Sequence, residues 1–586
     1  MVDLTEYIEE IEKLNKCETN INQCQTVYRD ILSKVKSYGF DKLGCDSYMA
    51  FCNKSKNFLN QTDIDSPASR LSLAKGSFKY ISDMLSIIWD NELYNEQKIV
   101  DELSQKYQYT EEDYSKLAST YKSPFIRINP RIEINKVLNY FIEFVSLHDK
   151  FKVNDDLSTI KLMKIVHKII NKIMYYYLSE DLTVKLLKSW ELAQPVIYPF
   201  DEEYRDHLIH QFYVFLLGCT MLDKLQKRIF QNWNIKEPVG RPLEEIKRRT
   251  FRSWLSASLF HDVGYIATKL KIIGESVVDQ FFSNLPSVKL QTFKLNCVMN
   301  KMLKNYLICM DKVHYQNEFN YTHSVGKLDG EGAIIIKSQM DKMDHGTLSS
   351  YMFWNTILQD IKNIQVRYVE VYKNLLLTRA LIINALHYGE EPGGKIAKFG
   401  DYTGGFYQAK KEDEKKHNLF KIELEEDIAI SSYAIAVHNI KKYHKISFED
   451  YPLAFLLILC DELQQWGRVS MQGEKPQLIP NELLDCKVFL KDEDNHELIS
   501  YIKELKNIDS IKELIEPVSN DIIFVKFKNI KEDYQKKFKT KLKEIFTHRL
   551  KNGPSLIVTN QDSANNDEIL FLAKIDENEK YKTYFQ

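Results

Sequence analysis

Apolar residues recur at three- and four-residue spacing through the N-terminal part of the chain, clearest in Val27–Val35 and Ile160–Tyr177. That spacing predicts amphipathic helices. Polar stretches near Asn60–Ser69 and Asn154–Ser158 read as breaks between them. From about residue 195 the helical runs become more apolar and carry isolated His and Asp residues. Two segments within this stretch read as insertions. Residues 272–343 hold several amphipathic pieces and a Gly-rich turn, Gly326–Gly332, and residues 389–416 form a polar, Gly-rich long loop. Beyond about residue 478 the period shortens. Cys486–Leu490, Asp521–Phe527, Ser555–Val558 and Ile569–Ala573 predict short strands, separated by Lys/Glu-rich helical pieces such as Glu532–Phe546. The reading is a mainly α protein: a helical scaffold or partner domain (1–194), a helical core (195–477) and a small α+β appendage (478–586).

Composition changes this picture little. The 80 basic and 82 acidic residues nearly cancel, to a formal charge of -2, which argues against a dedicated duplex-DNA binder. The nine cysteines contain no Cys-x-x-Cys pair, so neither a zinc ribbon nor a disulfide framework is expected. Met1-Val2-Asp3-Leu4-Thr5-Glu6 lacks the basic and apolar regions of a secretory leader, and Leu453–Cys460 is too short to span a bilayer. A cytoplasmic protein is the expectation.

The candidate chemistry lies where polar residues end apolar helical runs. Trp254 to Gly264 closes on Leu259-Phe260-His261-Asp262-Val263-Gly264, placing an imidazole and a carboxylate together at the end of a buried helix. A carboxylate buried without a partner is costly, so a cation is a natural companion. Upstream, His207 and His210 share one face of a helix, and Val214 and Gly218 continue the row of His210 into the core. Downstream, Asp344-His345-Gly346 opens another apolar helix, and His438 sits among small apolar residues in Ile428–Ile440. Asp461 follows Leu453–Cys460 directly, and desolvation is expected to raise its pKa in the absence of metal. Taken singly, each has a plain structural reading, from capping His to satisfied core His.

Together, the order His, His-Asp, His, His, Asp resembles the HD-domain superfamily of metal-dependent phosphohydrolases over roughly Asp201–Arg468. The resemblance implies an all-helical core with one metal held by His210, His261, Asp262 and Asp461. It implies a second, bridged by Asp262 and held by His345 and His438. One or two ions of Mn, Fe, Ni, Co, Zn or Mg suit this donor set. Asp262 and His207 are then the catalytic candidates, with Arg468, Lys269 and Lys395 as phosphate contacts. His207 competes with His210 as a ligand, and His387 with His345. Tyr265 stands where many relatives carry a Lys. The run Lys247-Arg248-Arg249 reads as a solvated face. The implied activity is hydrolysis of a phosphate ester or nucleotide phosphate. Alternatives are a nuclease on single-stranded nucleic acid and a non-catalytic, nucleotide-sensing scaffold. The partner is a phosphorylated small molecule or nucleotide, with no membrane and with oligomerisation left open.

Overall fold

The computed structural model describes residues 68–90, 128–147, 156–178, 207–236, 243–269, 301–316, 318, 326–358, 423–440, 445–464, 469–472, 475–478, 482–504, 520–530, 532–562, 567–575 and 581–584. The expected helix Val27–Val35, the 389–416 loop, His387, Lys395 and Arg468 lie outside them. The protein is mainly α, with sheet near the C-terminus. The described helices are α1 (Ala68–Asp90), α2 (Ile128–Ser146), α3 (Asp156–Tyr177), α4 (His207–Lys236), α5 (Leu243–Phe260), α6 (Lys301–Gln316), α7 (Glu331–Asp341), α8 (345–358), α9 (423–437), α10 (Pro452–Leu463), α11 (Asn495–Glu504) and α12 (Glu532–His548). The segment Asp156–Ser158, expected in a break, forms the first turn of α3 instead.

Two compact units divide the chain. One takes Met1–Thr62, Ser82–Asn139 and Ile361–Glu423; its described residues are helical. The other takes Asp63–Ile81, Tyr140–Asp360 and Leu424–Gln586, and holds every element discussed below.

In that second unit α4 is central. Residues 207–219 are all buried, because its sequence is apolar around nearly the whole circumference. Its Phe212 and Tyr213 meet Phe144 edge-on, with ring centroids 5.6 and 6.2 Å apart, and Phe215 meets Phe251 of α5 at 6.0 Å. Gly218 lets α5 approach closely: a Cβ there would fall 1.8 Å from the Trp254 ring. The Trp254 indole donates to the Phe215 carbonyl at 3.1 Å, so the approach also satisfies its polar edge.

The basic run before the His-Asp pair is not a solvated face throughout. Arg249 is buried, and its Nε donates to Asp427 Oδ1 at 2.9 Å while a terminal nitrogen meets Glu426. Arg252 donates to the other Asp427 oxygen at 2.7 Å. These acidic partners enter from α9, far along the chain, so local sequence could not reveal them. The pairing fixes α5 against α9, and both helices end at the site described below.

The sheet has the order β4-β5-β7-β8-β9, comprising Glu482–Phe489, Ile522–Lys528, Ser555–Gln561, Asp567–Ile575 and Tyr581–Tyr584. Only β5 and β7 run parallel, and α12 connects them. Phe489, Ile522, Phe524, Ile557, Ile569 and Leu572 pack with Leu498 of α11 on one face. The four expected strands correspond to β4, β5, β7 and β8. Sequence reading missed β9, a hairpin of β2 (Val469–Gln472) and β3 (Lys475–Leu478), and a two-residue parallel pair. In that pair β1 (Ile446–Ser447) matches Ile446 with Leu550 and Ser447 with Lys551 of β6 (Leu550–Lys551). Alternation cannot be read from two residues. Ion pairs from α4 to the sheet region, Lys224–Asp494 at 3.1 Å and Arg228–Asp521 at 2.9 Å, add to the contacts that make helices and sheet one unit.

Candidate metal centre

Six side chains named from sequence meet at one point, and all come from helix ends. His210 stands in the first turn of α4, His261 and Asp262 directly follow α5, and His345 opens α8. His438 directly follows α9, and Asp461 sits in the last turn of α10. Donor atoms of His210, His261 and Asp262, of His261, His438 and Asp461, and of Asp262, His345 and His438 form three groups, each within 4.8 Å.

Local chemistry explains each placement. Asp344 caps α8 by accepting from the Thr347 amide at 2.9 Å, which sets His345 in the first turn. The turn after Asp262 lies hard against that helix start. Gly264 donates to Ser349 Oγ at 2.7 Å, and a Cβ on Gly264 would fall 2.4 Å from the His345 carbonyl. Any larger residue would drive Asp262 and His345 apart. The buried carboxylate of Glu318 accepts from the Leu453 and Ala454 amides at 3.1 and 3.2 Å. That anchors the start of α10, whose far end carries Asp461.

Asp262 occupies the middle. Its Oδ2 lies 3.1 Å from His207 Nδ1, 3.6 Å from His261 Nε2 and 3.7 Å from His210 Nε2. Its Oδ1 lies 3.4 Å from His345 Nε2 and 3.8 Å from His438 Nε2. Asp461 Oδ1 lies 3.0 Å from His210 Nε2 and 3.7 Å from His261 Nε2.

Three of the imidazoles are oriented through Nδ1. His261 donates to the Ser258 carbonyl at 2.8 Å, His438 to the Ile435 carbonyl at 2.6 Å, and His210 to Gln464 Oε1 at 2.5 Å. Each Nε2 is thereby turned into the cluster, as a ligating nitrogen requires. Among the described residues, the Nε2 atoms of His261 and His438 are buried and have no hydrogen-bond partner. Buried polar atoms are seldom left so. Asn439 donates to Asp344 Oδ2 at 2.5 Å and reaches His345 Nδ1 at 3.4 Å. These buried His/Asp groups can hold a divalent ion: imidazole and carboxylate match its donor preference, and the two orphaned nitrogens supply places for it.

Without metal, the cluster's charges compensate one another. Burial opposes ionisation of Asp262, but His261 and then His207 hold its carboxyl well below the usual range. Burial likewise opposes ionisation of Asp461, and the neighbouring imidazoles of His210 and then His261 outweigh it. The expected upward shift of Asp461 is therefore reversed, because its anion has cationic partners that the apolar run alone did not show. Burial disfavours the charged form of His261, yet Asp262 and Asp461 lift it to about 9. Burial and then neighbouring His261 push His438 down to about 4.

No family model, curated protein or solved structure matches this chain.

The remaining candidates fall into place by distance. His207 is buried and committed to Asp262, so it is not a surface histidine. Tyr265 packs at a tilt against His207, ring centroids 4.1 Å apart, and Lys269 Nζ lies 4.9 Å over the Tyr265 ring. Among the described residues, no helix is long and apolar enough to cross a membrane.

Sequence reasoning missed Gln464, three residues after Asp461. One turn of spacing was the available signal. Replacing Gln464 with Ala should remove the Oε1 acceptor that orients His210 and weaken Mn binding about ten- to a hundredfold, with secondary structure unchanged. Mn titration of both proteins checks this; equal affinity would remove Gln464 from the site.

Proposed function

We propose that this protein is a divalent-metal phosphohydrolase of the HD type, hydrolysing a phosphate ester or nucleotide phosphate. One observation carries the reading: the two oxygens of Asp262 face different imidazole groups, Oδ2 toward His210 and His261, Oδ1 toward His345 and His438. A carboxylate so divided suits a bridge between two cations, one also held by Asp461. When bound, such ions supply an activated water and positive charge for the phosphate oxygens.

The chain's own residues do the rest. His207 holds Asp262 Oδ2 and so fixes which way each oxygen points. Ser258, Ile435 and Gln464 fix the rings of His261, His438 and His210. The side chains of Asp461 and His345 are 27% and 23% exposed, against 0% and 1% for His261 and His438. The substrate phosphate therefore approaches from the Asp461 and His345 side. The near-neutral chain favours a small phosphorylated molecule over duplex nucleic acid.

The test is a panel of p-nitrophenyl phosphate, bis-p-nitrophenyl phosphate, nucleotides, cyclic dinucleotides and single-stranded oligonucleotides, each with Mn, Ni, Co or Mg. Phosphate-ester cleavage that chelator abolishes is expected. A chain that binds these metals yet cleaves none of the panel would be a metal-binding protein, and the hydrolase reading would fall.

A further inference from the structure

Arg549 stands just before β6, in the sheet region of the chain, yet its guanidinium reaches the metal centre. It is buried, and one terminal nitrogen donates to the His438 carbonyl. The other lies 3.8 Å from Glu462 Oε1, and Glu462 is the residue after Asp461. Its Nε has no hydrogen-bond partner among the described residues. The His438 carbonyl follows the last turn of α9, where helix carbonyls lack partners and the dipole favours a cation.

Backbone pairing explains how a distant residue is held there. β6 begins at Leu550 and pairs with β1, and the Ile446 amide donates to the Arg549 carbonyl at 2.7 Å. β1 lies in the short connection between His438 and the start of α10. One side chain and one strand pair therefore tie the sheet region to the segment that sets His438 and Asp461. Lys541, from α12, reaches the same Glu462 carboxylate at 3.5 Å, which holds that carboxylate toward the sheet side.

From this geometry we infer that Arg549 is a positioning residue for the metal centre, fixing His438 through its carbonyl while Glu462 holds the guanidinium in place. The inference rests on the metal reading above and adds that the C-terminal region completes the site. Without Arg549 the turn after α9 is free to carry the His438 ring away from Asp262. The ion on the His345 and His438 side then loses a ligand, while the His210 and His261 side keeps all of its own.

Equilibrium dialysis of the full chain against Mn tests it, on wild type, Arg549→Ala, Arg549→Lys, His438→Ala and the Arg549→Ala/His438→Ala double variant. Arg549→Ala should keep one ion at wild-type affinity and bind the other about ten- to a hundredfold more weakly. Arg549→Lys should recover part of the loss, because an ammonium can still donate to one carbonyl. The double variant should bind no more weakly than His438→Ala alone, as expected when both changes act through one group. Additive losses in the double variant, or wild-type affinity for both ions in Arg549→Ala and Arg549→Lys, would overturn the inference. If Arg549→Ala does not fold under chelator, Arg549→Lys decides: an intermediate loss on one ion supports the assignment, and an unchanged pair of affinities overturns it. A wild-type chain that takes up no Mn defeats the metal reading itself, a result distinct from all of these.

Discussion

Asp262→Ala should abolish metal uptake on both sides of the cluster and lower phosphate-ester turnover by about a thousandfold or more. No other described side chain has an oxygen near all four imidazoles: Oδ2 meets His210 and His261, and Oδ1 meets His345 and His438. The methyl group leaves those rings with Asp461 as the remaining anion of the cluster. It also strips His207 Nδ1 of its 3.1 Å partner in a buried position, which costs about 1–3 kcal/mol. The variant should therefore melt earlier than wild type under chelator and gain nothing from Mn. Far-UV circular dichroism should stay helical, because α4 and α5 are held by Phe212, Phe215, Phe251 and Trp254 and not by the carboxylate. Elemental analysis and a turnover assay of a verified substrate check the result. Retained turnover would exclude Asp262 as the bridge.

The second large effect is on pH. His261 is lifted from the usual 6.5 to about 9 in the folded, metal-free chain. Between those values the native state keeps a proton that the unfolded state has released. The stabilisation this gives is complete below pH 6.5 and disappears as pH rises through about 9, about 3 kcal/mol in all. His438 acts with the opposite sign: held down to about 4, it resists a proton that the unfolded chain accepts, so stability falls as pH drops from 6.5 to 4. Asp262 and Asp461, held low, contribute stability that is lost only at still more acid pH. Within the cluster, these contributions are together greatest near pH 6.5. A bound ion must displace the His261 proton, so Mn affinity should rise nearly tenfold per pH unit up to about 9. Thermal melts with chelator and with saturating Mn, taken from pH 5 to 9.5, measure both. A Mn-induced increase in Tm that is flat from pH 6.5 to 9 would show that His261 carries no proton for the ion to displace.

These outcomes depend on residues that were unequally legible. The six cluster residues stood out because each is polar at the end of an apolar run, and that signal is local. Asp461 after Leu453–Cys460 and His261-Asp262 after Trp254–Phe260 had to face the interior; His261 and Asp262 are buried, whereas Asp461 keeps a partly exposed side chain. What sets their charge was not local. Asp461 was expected to resist ionisation, and only the fold brings His210, 251 residues away in sequence, to 3.0 Å. Arg249 looked like surface because Asp427 and Glu426 lie on a different helix. Gln464 was one turn from a suspected ligand and could have been reached. Arg549 could not: its partners are a main-chain carbonyl 111 residues earlier and a two-residue strand pair, and neither leaves a trace in residue type. The four longer strands followed from β-branched and aromatic runs, whereas Tyr581–Tyr584 carries lysine and threonine between its tyrosines and gives no such run.

The convergence of helix ends has a topological consequence. An ion held by His210 and Asp461 would join points 251 residues apart, and by itself close the stretch between them into a ring. Such a closure acts on the unfolded chain as a disulfide does, restricting it more the longer the enclosed loop, but only while the ion stays attached. Helices α4, α5, α8, α9 and α10 would then be unable to separate one at a time. Each carries a ligand at its tip, so release of any one must break coordination for the rest. Metal should thus convert gradual fraying of individual helices into a single, slower opening event, visible as fewer exchange-competent amides at the helix tips.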